Sequence, residues 1–339
     1  MKRQLLLILM LLGSGVVFGQ SVLFLHHSTG GNVYNEGNVS QYINDYNEQN
    51  STNIEFIERA YPDSPYPWEN NVYDYWNLWI NMVCDNASSG TECLESLTAL
   101  NNIIIFKHCF PGAGILVDDG DGDVSSSEKT LANYKLQYRA LREKMDGFQD
   151  NKFVVWTLTP LHQLSTNVEQ AARAGEFVAW VKNEWLHEDS MEHPNIHIFD
   201  FFGIIAEQDE TPEHGFQYSL KYQYESSHEN GDSHPNTLAN ETVGPLFAQF
   251  IIDLATGSTV NIEPSQEFTE KITVFPNPTN GPVILSGNLP EEADAILYNM
   301  LGEKIKIIKI RANRFDIGEL QNGIYLLKLD KTAIMIIKE

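Results

Sequence analysis

Cations are scarce in this chain: 22 lysines and arginines stand against 46 aspartates and glutamates, a formal net charge of -24 at pH 7. So acidic a surface repels nucleic acid and anionic membrane, and an acidic substrate would need a local basic group to hold it. The deficit is uneven. Residues 272–339 balance eight acidic with eight basic side chains, so the whole excess lies before them. Cysteine is nearly absent too, three among 339 residues, which allows one disulfide and one spare thiol. After residue 20 there is no run long and apolar enough to span a bilayer. Neither GxGxxG nor the spacing of a Walker loop occurs, which argues against a phosphate cradle. No internal repeat and no long low-complexity tract is present.

What is there begins with an address. Lys2 and Arg3 precede LLLILMLLGSGVVFG and Gln20, the layout of a secretory signal peptide over residues 1–20. Leu5 to Phe18 includes Gly13, Ser14 and Gly15 and falls short of the ~20 apolar residues of a spanning helix, so no transmembrane anchor is expected. An exported chain permits a disulfide, and Cys84 and Cys93 flank the small polar loop DNASSGTE. A bridge is expected there. Cys109 is then left unpaired in an apolar context, where a free thiol is usually inert.

Length and 42% hydrophobic content suggest two domains. The division falls where TGSTVNIEPSQEFT has linker composition, giving a first domain over 21–257, a linker over 258–271 and a last domain over 272–339. In the first, apolar runs alternate with segments of helical period. Strands are expected at Val22–His26, Ile54–Glu58, Ile103–His108, Phe153–Thr159 and Ile196–Phe199. Helices are expected at Asn38–Glu48, Tyr73–Val83, Lys129–Met145, Val168–Leu186 and Leu238–Leu254. That pattern is α/β: a three-layer α/β/α sandwich on a five-stranded parallel sheet.

Ligands of such sheets bind at the carboxyl ends of the strands. The stretch VLFLHHSTGGN, Val22 to Asn32, is one such end, and FKHCFPGAG, Phe106 to Gly114, is expected beside it. A serine on a tight strand-to-helix turn exposes its hydroxyl, and nearby glycines let a substrate approach backbone N–H groups. Ser28 and Thr29 also have the chemistry of helix caps, the plainer reading of an isolated Ser-Thr-Gly. A nucleophilic serine needs a histidine and an orienting acid. Late in the domain the chain reads DSHPN before a helix, placing His234 two residues after Asp232 in a loop expected to return to the same edge.

The opening strand with its serine, the strand ending in TLTPLH and the late DSHPN together resemble an SGNH (GDSL-type) hydrolase across most of residues 21–257. The resemblance implies a flavodoxin-like SGNH fold and an esterase with no cofactor, often removing acetyl groups from sugars. Carried over by position, Ser28 is the nucleophile, His234 the general base and acid, and Asp232 its orienting partner. The sequence departs from the pattern in three places. His26-His27 stands where Gly-Asp usually precedes the serine; the acid lies two residues before the histidine instead of three; and Lys107-His108-Cys109-Phe110 replaces Gly-x-Asn-Asp. The oxyanion or substrate-binding candidates are therefore Gly30, Lys107, His108 and His27, with Asp200 a fallback acid.

Three further readings stay open. His26, His27 and His108 at neighbouring strand ends are candidate metal ligands, and a metal-dependent hydrolase using His27 and His108 is an alternative. DDGDGDVSSSE, with Asp119, Asp121 and Asp123, resembles the start of a calcium loop, but the sixth position is Val124 and the twelfth Thr130, so an acidic surface loop is the simpler reading. Tyr61, Tyr66, Trp68, Tyr73, Tyr75, Trp76 and Trp79 either pack a core or stack on sugar rings.

From Lys271 the pattern changes to about seven short strands with turn signals, a small β-sandwich. VFPNPTNG, LYNMLGEKI, FDIGELQNGIYLLKL and the terminal IIKE are similar to the C-terminal sorting domain of the Bacteroidetes type IX secretion system, an immunoglobulin-like all-β module. That implies engagement with the type IX machinery and release or attachment at the cell surface. The whole chain thus reads as an exported serine esterase for acylated glycans or small esters; the rival is a surface glycan-binding protein on the same fold that lost catalysis.

Overall fold

The computed structural model describes residues 19–69, 71–85, 90–118, 120–257, 273–286, 292–299, 304–311, 313–329 and 332–338. The linker over 258–271, Asp119 and all but the last two residues of the expected signal peptide fall outside these residues. Two compact units divide near residue 260.

In the first unit five strands, β1 (Gln20–His26), β2 (Ile54–Ala60), β3 (Ile103–Phe106), β4 (Lys152–Trp156) and β5 (Ile196–Phe199), form one parallel sheet in the order β2-β1-β3-β4-β5. The helices are α1 (Thr29–Glu36), α2 (Val39–Asn50), α3 (Val72–Trp79), α4 (Leu94–Leu100), α5 (Leu131–Asp146), α6 (Val168–Asn183), α7 (Phe201–Ile205) and α8 (Thr237–Thr256). Strand alternation decides which layer each side chain joins. Val22 and Phe24 of β1 pack with Val243, Phe247 and Ile251 of α8 on one face, while Leu23 and Leu25 join Tyr75, Tyr138 and Phe177 on the other. All five expected strands are present, four of them with ends shifted by one to three residues and β5 as expected. The expected strand over Ile103–His108 stops at Phe106, because Lys107 and His108 turn away to bond side chains.

Helices α1, α4 and α7 are short and escaped the periodicity reading, since five to eight residues hold too few turns to show a stripe. α8 is long for the opposite reason: Asn236 caps it by accepting from the Ala239 N–H, and it buries apolar residues almost all round. Where α8 crosses the end of α1, Gly244 lies directly on the backbone of Gly37. Cys84 and Cys93 form a disulfide, and the arm they close is joined to the aromatic loop by Tyr61 Oη donating to Glu92 O and by the Arg59–Glu92 ion pair.

The second unit is all-β. Its seven strands, β6 (Thr273–Phe275), β7 (Pro282–Ser286), β8 (Glu292–Asn299), β9 (Lys304–Arg311), β10 (Arg314–Asp316), β11 (Gly323–Leu329) and β12 (Thr332–Lys338), make one continuous antiparallel ladder in the order β12-β11-β8-β9-β10-β7-β6. A bridge between Thr279 and Lys338 brings the two ends of that ladder together. Leu285, Leu297, Ile310, Leu327 and Ile336 fill its apolar side. No described helix is long and apolar enough to cross a membrane.

Candidate active site

The strand order reverses between β1 and β3, and both of their carboxyl ends carry polar side chains. Ser28 occupies the single residue between the strand-end His27 and α1. Its φ is 26° and its ψ -84°, a positive-φ conformation uncommon for a residue with a Cβ. Its hydroxyl is exposed and makes no cap bond to α1, so the capping reading fails. Strain of this kind persists only where the surroundings over-determine it, and it clusters at functional sites.

The Ser28 Oγ lies 3.1 Å from Cys109 Sγ, just past the end of β3. That thiol, not the imidazole of His234, is its hydrogen-bond partner. Cys109 is therefore not the inert apolar cysteine expected: it is buried, yet sits under the serine and within 3.7 Å of Thr29 Oγ1. Burial pushes its thiol up, but the Lys107 charge and the bonds from Ser28 and Thr29 outweigh burial and hold it below the ordinary value.

His234 arrives from the loop before α8. Its Nδ1 is 2.6 Å from Asp232 Oδ1, and the same carboxylate oxygen accepts from the His234 N–H at 3.1 Å. Two residues of separation suffice because the acid closes a tight local turn. Burial pushes the Asp232 carboxyl up, but the bonds and charge of His234 prevail and keep it below the usual carboxylate range. The imidazole stands edge-on to Phe110, 4.8 Å between centroids, so His234 and Ser28 flank the Cys109-Phe110 segment. The TLTPLH stretch braces this loop. His162 N–H donates to Ser233 Oγ at 2.9 Å, and Ser165 Oγ donates to the carbonyl of Gly231.

The remaining candidates are placed otherwise. Gly30 is no open oxyanion donor: its N–H is spent on His27 O at 3.0 Å, and a Cβ there would lie 2.9 Å from Lys107 Cδ, so close packing explains the glycine. His27 Nε2 donates to Pro62 O at 2.6 Å, and its ring stacks on Trp68 with centroids 3.9 Å apart. His108 points into the core, its Nε2 3.0 Å from Tyr138 Oη, and burial lowers it to about 3. His26 bonds Glu58 at 2.6 Å. The three histidines thus diverge, against the metal reading. Lys107 is buried and donates to Thr29 Oγ1 at 2.6 Å and towards His27 O at 3.5 Å, so it faces the turn from beneath instead of the open site. Asp200 is not a reserve for Asp232, since it caps α7 through the Gly203 N–H and pairs with Lys182.

In the acidic loop, Asp123 Oδ1 accepts from the Ser125 N–H and hydroxyl, and Asp118 accepts from the Ala132 N–H. Among the described residues the one group of three potential metal ligands close together is Cys84, Asp85 and Cys93, two of which are joined as a disulfide. The helix aromatics Tyr75, Trp76 and Trp79 are buried, which settles the core reading for them. Trp68 is half-exposed beside the site. The sequence places FKHCFPGAG beside the serine turn, as found, but does not show that Cys109 would hold the serine hydroxyl or that Phe110 would meet the His234 ring. The signal for the placement was present in FKHCF, a lysine and histidine directly after the wholly apolar IIIF.

The first unit is thus an α/β sandwich with a serine, histidine and aspartate at its switch point. Residues 273–339 match the secretion system C-terminal sorting domain. That module marks the chain for type IX secretion, released or attached at the cell surface. No curated protein matches the chain. Matching solved structures include the crystal structure of an acetyl xylan esterase, 13% identical, covering 68% of this chain and 98% of that one with a TM-score of 0.39.

Proposed function

We propose that the first unit is a serine esterase of SGNH type that removes acyl groups, acetyl foremost, from glycans outside the cell. The observation that carries this reading is the exposed, positive-φ Ser28 at the β1 end, free of any capping duty. The Asp232-oriented imidazole across Phe110 supports it.

In this reading Ser28 rotates about χ1 from Cys109 towards His234 Nε2, a tightening expected when substrate binds. Asp232 holds the tautomer with the proton on Nδ1, so Nε2 accepts the serine proton as Oγ attacks the ester carbonyl. The oxyanion forms over the amino end of α1, where the helix dipole is positive. His234 returns the proton to the leaving alcohol; water, activated by the same imidazole, then releases the acid and restores Ser28.

A second reading has one observation in its favour: the Ser28 hydroxyl rests on Cys109 instead of His234, as a glycan-binding protein without catalysis would tolerate. Hydrolysis of a short-chain acyl chromogen and of acetylated xylan by the full exported chain separates the two. Ser28→Ala is expected to remove at least about 1,000-fold of kcat with KM little changed. Equal inactivity of wild type and variant on every ester, with glycan binding retained, would replace the esterase by the binding protein.

A further inference from the structure

Directly under Ser28 lies a charge that the esterase chemistry does not use. Lys107 is 3% exposed, and its stem runs beneath Gly30, where a Cβ would stand 2.9 Å from its Cδ. Its ammonium group donates to Thr29 Oγ1 at 2.6 Å and reaches His27 O at 3.5 Å. It therefore grips the residues immediately after and immediately before Ser28. Its own backbone is fixed in turn, because Tyr75 Oη donates to Lys107 O at 3.1 Å.

We propose that Lys107 is a positioning residue for Ser28: its buried ammonium staples His27 to Thr29 across the positive-φ turn, and the Thr29 hydroxyl it grips lies beside Cys109 Sγ, the atom on which the serine hydroxyl rests. The proposal builds on the esterase reading and adds the device that holds its nucleophile.

Three features support it. First, the Ser28 conformation is unfavourable in an isolated chain and needs an external hold; a cation bonded on both sides of it is such a hold. Second, a buried ammonium is costly without an opposite charge. The titratable groups near Lys107 are His26 at the end of β1, His27 just after it, and His108 and Cys109 from the segment after β3; all three histidines are held below their ordinary value, by burial first and the Lys107 charge in addition. Among the described residues Cys109 is the partner whose charge opposes that of Lys107. The Lys107 charge in turn draws the Cys109 thiol down, and Cys109 Sγ lies 3.1 Å from Ser28 Oγ. Third, Lys107 lies where the resembled pattern has its Gly-x-Asn-Asp motif, yet it points at the turn and not at the space a substrate oxygen would enter. It acts through Thr29 and Cys109 and does not touch substrate.

The test uses the full exported chain with Lys107→Met, Lys107→Arg and Cys109→Ala. Since Cys84 and Cys93 are bridged, Cys109 is the single free thiol, and its ionisation is read from thiolate absorbance with Cys109→Ala as blank. Lys107→Met is expected to move that titration up towards an ordinary cysteine and to lower kcat about 10- to 100-fold with KM nearly unchanged. Lys107→Arg is expected to keep the low titration and recover part of kcat. A folded Lys107→Met variant with wild-type kcat and wild-type titration would overturn the proposal. So would a wild-type thiol that titrates like any free cysteine, a result that stands even where Lys107→Met does not fold. If Ser28-dependent turnover is absent altogether, the esterase reading fails, and the dependence of the thiol titration on Lys107 still decides whether the staple exists.

Discussion

At the scale of single residues, the structure separates a carboxylate that holds an imidazole from one that holds a helix end. Asp232 and Asp200 both end up near polar partners, but Asp232 binds an imidazole at the sheet edge, whereas Asp200 accepts from the Gly203 N–H, from Thr157 and from Lys182. The two substitutions to asparagine should therefore diverge. Asp232→Asn presents an amide to His234 Nδ1, favours the wrong tautomer and is expected to lower kcat at least about 100-fold at unchanged stability. Asp200→Asn keeps the cap and loses only a half-exposed ion pair; kcat should hold, with a stability cost below about 1 kcal/mol. Paired steady-state kinetics and thermal melts decide it, and equal kcat loss in both variants would return Asp200 to the site. The same scale shows why Ser28 and His234 were legible while their surroundings were not. A serine at a strand end and a histidine in DSHPN announce themselves by type and place. That the Ser28 hydroxyl would settle on Cys109 depends on a side-chain torsion and on the packing of β3 against β1, neither of which is written in spacing.

At the scale of elements, the central strands were readable because they are buried on both faces, so β3 and β4 carry uninterrupted apolar runs, IIIF and FVVW, while the edge strand β2, IEFIERA, is interrupted by charge. The short helices were not, and α1 matters most among them because it carries Thr29 and Gly30 into the site. Its position is set by the crossing with α8, where Gly244 meets the backbone of Gly37. Any Cβ at residue 244 must push α8 away from α1. Gly244→Ala is accordingly expected to destabilise the first unit by about 2 kcal/mol, although alanine is the better helix former. Urea unfolding measures this. A neutral or stabilising result would mean that the crossing yields easily and does not position α1. The aromatic stretch YPDSPYPW, Tyr61 to Trp68, divides between core and surface: Tyr61 and Tyr66 are buried, while Trp68 remains half-exposed over His27.

At the scale of the whole molecule, an acidic first unit is joined to a charge-balanced sorting module that directs export, so the first unit has to remain folded in whatever pH it meets outside the cell. Three histidines bear on that. Burial holds His26 and His197 at about 4 and His108 at about 3, against about 6.5 in an unfolded chain. As pH falls below about 6.5 the unfolded chain takes up protons that the folded unit refuses, so stability present at neutral pH is lost progressively down to about 4, where His26 and His197 begin to titrate in the folded state. Each refused proton contributes at most about 1.4 kcal/mol per pH unit. Carboxylates held low by partners, Asp232 and Glu188 among them, act in the same direction at lower pH. All six tryptophans lie in the first unit, so their fluorescence follows its unfolding within the full chain. Urea midpoints are expected to fall steadily from pH 7 to pH 5, and His108→Asn, compared with wild type over the same range, to show a shallower fall by about one proton. Midpoints that stay level from pH 7 to pH 5 would mean that these imidazoles reach solvent and accept protons within the folded unit.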